Sequence, residues 1–222
     1  MLKVGNLVLL GTSHIARESI TAVSKAIDGL QPGVVALELD RGRLHALLHP
    51  SKEKLRLRDI RHIGVKGYLF GLLGAWAERK LGHSVGTAPG DEMRAAVRVC
   101  RERKIPVALV DQDIHITLRR LSRALSWRER WRFFVDIVGS VVKREKLPFD
   151  LHTVPSEDVI GKLTGQVRVR YPNVYRVLIT ERNEFMADRL SRILRAAPDK
   201  TVLAVIGAGH VKDVAGLVRK SI

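Results

Sequence analysis

The sequence predicts an α/β domain with a mainly parallel central sheet, flanking helices and an inserted helical region. Three observations carry this. Short apolar runs recur at Leu7–Leu10, Val34–Leu39, Val107–Val110 and Thr201–Ile206. Helical spacing of apolar residues fills the stretches between them. The first and last runs both end on a glycine turn, the kind of punctuation that closes a strand.

In chain order, Leu7–Leu10 reads as a strand running into Gly11-Thr12-Ser13-His14, after which Ile15, Ile20, Val23, Ile27 and Leu30 mark a helix. Gln31-Pro32-Gly33 breaks that helix, and Val34–Leu39 follows as a buried strand carrying one carboxylate, Glu38. Two strands joined by such a helix form a right-handed βαβ unit. The segment from roughly 41 to 88 is the helical insertion. Within it Gly64, Gly67, Gly71 and Gly74 make a smooth stripe if helical, suited to close packing in a homodimer; the alternative is a flexible hairpin, because glycine costs about 1 kcal/mol in a helix. Met93, Val97 and Cys100 mark a helix before the strand at Val107. Further helices fill roughly 115–197. Among them Ser126-Trp127-Arg128-Glu129 fits a capping box, and the helix it opens sets Trp127, Trp131, Phe134, Val138 and Val141 on one side. That stripe reads as core, with a membrane-lying face as the alternative. Tyr171–Ala197 reads as one long helix, and a short helix follows the last strand. With no low-complexity linker, residues 1–222 read as a single domain.

Composition narrows the function classes. The 222 residues carry 39 Lys and Arg against 23 Asp and Glu, a net charge of +16, and 45% are apolar. A chain this apolar and this long can bury a core, which excludes wholesale disorder. The positive charge asks for an acidic neighbour. Arg41–Arg61 holds seven basic and two acidic residues and Leu118–Lys146 nine and three. Neither segment has a zinc-finger spacing or the aromatic strand motif of an RNA-recognition sheet, so nucleic acid is not the expected partner. An anionic membrane surface uses the same charge. No stretch reaches the ~20 uninterrupted apolar residues of a spanning helix, and the chain as given reads as soluble. A single cysteine, Cys100, excludes an internal disulfide and a thiolate cluster.

Candidate chemistry gathers where strands end. Leu10-Gly11-Thr12-Ser13-His14-Ile15 is echoed by Ile206-Gly207-Ala208-Gly209-His210-Val211, each unit following an apolar strand. Both belong at the carboxyl edge of the sheet, where open α/β folds place ligands. Backbone amides of Gly11, Thr12, Ser13 and Gly207 can face an anionic substrate group there, and a histidine can bind a metal or take a proton. Chance alone supplies about 0.65 Gly-x-x-His matches at this composition, so one match means little. Gly42-Arg43-Leu44-His45 is such a match, with no strand before it; it reads as coincidence. Glu38 reaches the same edge, as a general base, a ligand or a salt-bridged residue. Arg182 lies within the apolar face of the long helix, where a guanidinium is costly unless paired or needed. An ion pair with Glu38, Glu92 or Asp111 is the structural alternative to a site role. Asn183 lies at the edge of that face.

Six segments occur in the order seen in one family: Gly11-Thr12-Ser13-His14, Val35-Ala36-Leu37-Glu38-Leu39-Asp40, Pro89-Gly90-Asp91-Glu92-Met93, Val110-Asp111-Gln112-Asp113-Ile114, Glu181-Arg182-Asn183-Glu184-Phe185-Met186-Ala187 and Gly207-Ala208-Gly209-His210. Together they resemble the TraB/PrgY/GumN family across essentially the whole chain. That family is related to the Tiki proteins, Mn- or Co-dependent metalloproteases acting on secreted signalling peptides, and shares the fold of erythromycin-esterase and ChaN-like proteins. The resemblance implies a hydrolytic site using His14, His210 and Glu38. Glu92 is a further candidate ligand, Arg182 and Asn183 are candidate catalytic groups, and Asp111 with the glycine turns is a candidate for substrate binding. Gln112 stands where the family pattern implies Arg. Many microbial members continue into membrane-spanning helices, which implies a place on the cytoplasmic side or an anchor supplied by a region outside this chain.

The leading expectation is a metal-dependent peptide hydrolase, pheromone-shutdown-like, using Mn or Co, with Zn equally suited to the ligand types. The alternatives are a protein that sequesters a peptide or small ligand without turnover, and a metal-independent, esterase-like hydrolase with His14 as general base. A histidine pair sharing one site requires that the strands bearing His14 and His210 lie close together in the sheet.

Overall fold

The computed structural model describes residues 1–12, 17–49, 90–143 and 157–222. A five-stranded sheet runs β1 (Leu2–Val4), β2 (Leu7–Thr12), β5 (Val202–Gly207), β3 (Val34–Leu37) and β4 (Val107–Leu109) from edge to edge. Only β1 is antiparallel; it returns to β2 through a turn in which Gly5 takes a φ of +57°. The other pairings are parallel. β2 and β5 are neighbours, with Thr12 opposite Gly207, so the strands leading to the two Gly-x-x-His units do converge.

Alternation along the strands builds two core layers, because successive side chains point to opposite faces. Val8, Leu10, Val35, Leu37, Leu203 and Val205 pack with Val23 and Ile27 of helix α1 (Arg17–Leu30) and with Met93, Ala96 and Cys100 of α3 (Asp91–Glu102). On the other face, Leu7, Leu9, Ala36, Ala204 and Ile206 pack with Met186, Leu190 and Leu194 of α8 (Glu181–Ala196) and with Val214 and Val218 of α9 (Val211–Ser221). A parallel sheet covered on both faces is the expected home for such continuous apolar strands. Burial pushes the Cys100 thiol up, as suits a core side chain.

The strand at Val34 ends earlier than expected. Leu39 N donates to Leu37 O at 2.7 Å, and Asp40 then caps α2 (Arg41–Leu48) by accepting from Arg43 N at 2.9 Å. α2 is the described part of the expected insertion; residues 50–89, including the glycine stripe from Gly64 to Gly74, lie outside the described residues. His45 of the third Gly-x-x-His match is exposed on α2 and stacks on His49, consistent with coincidence.

Beyond β4, α4 (Ile114–Ala124), α5 (Trp127–Lys143), α6 (Glu157–Arg170) and α7 (Pro172–Tyr175) form the helical part. The capping box forms as expected: Ser126 N and Oγ donate to Glu129 Oε2 at 3.0 and 2.8 Å, and Glu129 N donates to Ser126 Oγ at 3.2 Å. Trp127 and Trp131 of the expected stripe are not core. Trp127 is 73% and Trp131 60% exposed, and the Arg130 guanidinium lies over the Trp127 ring. The long helix is interrupted as well. Arg176–Thr180 makes a wider turn, with Glu181 N donating to Arg176 O, before α8 resumes. Turns of this kind recur at functional sites. Among the described residues, no helix is long and apolar enough to cross a membrane.

Candidate functional site

Four parallel strands end on one edge of the sheet, and Glu38, Asp111, Arg182, Asn183 and His210, all singled out by the sequence, lie together there. Glu38 follows β3 on the same face as Ala36, which is the α8 face. Asp111 follows β4, and His210 follows β5. α8 precedes β5 and runs against it, so its first turn, carrying Arg182 and Asn183, returns to that same edge.

Arg182 is the hub. Its Nε donates to Asp111 Oδ1 at 3.0 Å and its Nη2 to Asp111 Oδ2 at 2.6 Å, a side-on fork. Nη2 also bonds Glu38 Oε1, and Nη1 reaches Leu178 O at 3.3 Å in the wide turn. Burial by itself lowers the Arg182 guanidinium, but the charges of Glu38 and Asp111 and their hydrogen bonds outweigh it and hold it above its ordinary value. The cation is therefore permanent. Glu38 is 2% exposed, and its second oxygen accepts from Gly207 N at 2.5 Å. Asp111 accepts in addition from Gln112 N at 2.7 Å and from Arg43 Nη2. Gln112, at the departure from the family pattern, turns away to donate from Nε2 to Thr117 Oγ1 at 3.1 Å.

His210 completes the cluster. Its Nδ1 lies 2.5 Å from Asn183 Oδ1, and its Nε2 lies 3.4 Å from Arg182 Nη1 and 3.6 Å from Glu38 Oε1. Asn183 Nδ2 donates to Asp213 Oδ2 at 3.1 Å, which turns Oδ1 toward the imidazole. A carbonyl oxygen only accepts and a guanidinium only donates, so the two contacts within hydrogen-bond distance, Asn183 and Arg182, put the proton of the neutral ring on Nδ1 and its lone pair on Nε2, with Glu38 Oε1 farther off at 3.6 Å.

The glycine turns pack against each other. Ala208 N donates to Thr12 O at 2.9 Å, and Thr12 Oγ1 donates to Ile206 O at 3.4 Å. A Cβ on Gly11 would come within 3.1 Å of Ala208 Cα and of Val211 Cγ2. Gly11 thus serves close approach of the two turns.

The fold therefore assembles Glu38, Asp111, Arg182, Asn183, His210 and Gly207, with Gly11 and Thr12 beside them. Ser13 and His14 lie outside the described residues. Glu92 is buried in the first turn of α3, in the helical layer on the opposite face of the sheet from α8. The expected ligand types do not make an ion site from the described residues alone. No three His, Cys, Asp or Glu side chains among them group as donors to one ion, and the Glu38 and Asp111 carboxylates already hold a guanidinium. Arg43, Asp40 and Asp213 were not singled out for the site. Asp40 binds Arg43 Nε at 2.8 Å, and Arg43 clamps Asp111. The pattern Asp40-Arg41-Gly42-Arg43 right after the Glu38 strand signals only the local Asp40–Arg43 pair.

A model of the TraB/PrgY/gumN family matches residues 3–221. The chain is 32% identical, over 97% of its length and 54% of the relative's, to an uncharacterised protein of Methanocaldococcus jannaschii. It is 26% identical to a TraB domain-containing protein of Bos taurus, over 93% of the chain and 60% of the relative, and 25% identical to the Homo sapiens protein of the same description, over 93% and 61%. It thus spans little more than half the length of these relatives. A family match over nearly the whole chain, joined to a sheet edge that brings five of its motif segments together, makes this protein a member of the TraB/PrgY/gumN family.

Proposed function

We propose that this domain hydrolyses peptide bonds at the carboxyl edge of its sheet. The observation that carries the reading is the buried Arg182 guanidinium, shared by Glu38 and Asp111 and directed at the Nε2 of His210. A fixed cation in a site shielded from water stabilises the oxyanion that forms when a carbonyl is attacked. His210 Nε2, with its lone pair on the site side, takes the proton from the attacking water and later gives it to the leaving amine. Glu38 Oε1, 3.6 Å away, stabilises the imidazolium in between. Asp111 and Arg43 hold the Arg182 plane in place.

A metal-dependent form, with Mn or Co held by His14, His210 and a carboxylate from Glu38 or Glu92, is the second reading. The lock on His210 favours it, since a histidine that donates from one ring nitrogen to a carbonyl is oriented to ligate through the other. Against it stands Arg182, whose charge any ion on Glu38 would face.

The test is metal-stripped protein incubated with a peptide library, with and without Mn, Co and Zn, read by mass spectrometry. Cleavage without added ion, reduced about 10²–10⁴-fold in His210→Ala, is the expected result. Cleavage only with an ion selects the second reading. Retention of intact peptide without cleavage overturns hydrolysis in favour of sequestration.

A further inference from the structure

We propose that Asp213 is a positioning residue for His210, acting through Asn183. Its effect on turnover rests on the hydrolytic reading of the site, whereas its effect on the imidazole does not.

The geometry is a chain of three side chains. Asp213, in the first turn of α9, accepts from Asn183 Nδ2 at 3.1 Å, and Asn183 Oδ1 meets His210 Nδ1 at 2.5 Å. An amide side chain presents nearly the same shape in either orientation, so something must decide which end faces the ring. A carboxylate can only accept, and Asp213 therefore fixes the NH₂ group on its own side and the carbonyl on the histidine side. The ring must then donate from Nδ1 and keep its lone pair on Nε2. Without Asp213, the amide is free to turn over and offer its NH₂ to Nδ1. That orientation requires the proton on Nε2, where it would face the donor Arg182 Nη1 3.4 Å away and turn toward Glu38 Oε1 at 3.6 Å. Asp213 thus selects which ring nitrogen can accept a proton or bind a substrate group.

Asn183 and Asp213 also line a cavity of about 340 Å³ between α8 and α9, together with Thr180, Glu184, Lys212 and Lys220. The outer end of the chain is open to that space, and Asp213 is exposed, so its replacement does not disturb the core. A plainer role exists: an acidic residue in the first turn of α9 complements the helix dipole. The dipole responds to charge and is indifferent to the imidazole tautomer.

The experiment compares the wild type with Asp213→Ala and Asp213→Asn, using long-range ¹H–¹⁵N spectra of the histidine rings, with His210 assigned by its loss in His210→Gln. The wild type is expected to show neutral His210 protonated at Nδ1. Asp213→Ala is expected to move at least half of the population to the Nε2 tautomer, and Asp213→Asn, whose oxygen can still accept from Asn183 but whose NH₂ no longer forbids the turned-over amide, to shift less. Peptide turnover should follow the tautomer, with kcat reduced about tenfold or more in Asp213→Ala and KM unchanged. An unchanged tautomer in Asp213→Ala overturns the proposal, whatever the activity. Equal losses of α9 stability in both variants, with the wild-type tautomer kept, also overturn it, in favour of the dipole. If the tautomer shifts but no variant nor the wild type cleaves peptide, Asp213 still positions His210 and the hydrolytic reading is what fails.

Discussion

Two arginine–carboxylate clusters in this molecule use the same chemistry in opposite settings. At the sheet edge, Arg182 is enclosed by Glu38, Asp111 and His210 and only 16% of its side chain is exposed. On the helical part, Arg170 of α6 bonds Asp136 of α5 through Nε at 2.6 Å and through Nη2, Tyr171 donates to the same carboxylate, and about half of the Arg170 side chain faces water. The second cluster staples two helices and can be exchanged for solvent. The first cannot, because each partner is out of water and owes its charge to the others. A fold that only needed stability would fill that edge with apolar side chains at no loss. The enclosed charges stand where an α/β sheet presents its ligands, and that placement ties their cost to chemistry.

The sharpest way to break the contrast is Arg182→Ala. It leaves buried Glu38 without its guanidinium and Asp111 with Arg43 alone, and is expected to cost about 3–5 kcal/mol, measured by urea unfolding. Arg182→Lys keeps the charge and loses the fork, so it should fold while cleavage falls; a fully active Lys variant, or one that merely unfolds, would return the residue to a structural role. Next is Glu129, a buried carboxylate that belongs to neither cluster. It caps α5 and also accepts from Asn173 N and Nδ2 at 2.7 and 2.8 Å. Burial pushes its carboxyl up, but the hydrogen bonds from Asn173 and Ser126 prevail and hold it below the usual range. Glu129→Ala should cost about 1.5–3 kcal/mol in the same measurement, and the wild-type advantage should fade on acidification, as the carboxyl takes up its proton.

The smallest effect belongs to Asp136→Asn. The hydrogen bond from Arg170, and then that from Tyr171, hold the Asp136 carboxyl down at about 2 against an ordinary 3.8. A lowered folded value contributes stability that is present above 3.8 and lost as pH falls toward 2. Exposure and salt screen the pair, so the variant should differ little from the wild type at neutral pH and converge with it in acid or in high salt. A loss as large as that of Arg182→Ala would erase the distinction between the two clusters.

Much of the sheet was legible because a parallel strand buried on both faces must be apolar throughout, and Leu7–Leu10 and Thr201–Ile206 announce themselves in that way. Arg182 was legible by contrast, as a charge in an apolar stripe, and Ser126 with Glu129 by a local spacing. β1 was not, because three residues pairing with one neighbour carry no periodicity that stands out. The wide turn at Arg176–Thr180 was hidden for another reason: it contains neither glycine nor proline to mark a break, and only the fold decides that the helix takes in an extra residue there. Contacts such as Arg43 with Asp111, 68 residues apart, leave no local trace. Trp127 and Trp131 misled through their chemistry, since an apolar stripe does not say whether protein or Arg130 and solvent will cover it.

The order of the strands has a consequence for how the molecule is made. β5, at the centre, comes last in chain order among the described strands, and β2 and β3 are joined only through it. Without β5, the pairs β1–β2 and β3–β4 share no strand pairing, and the inner edges of β2 and β3 have no partner in the described sheet. Glu38 then waits for a backbone partner 169 residues downstream. Closure over such distances is slow, and open strand edges invite association with other chains. β5 is thus the keystone on which the described sheet closes.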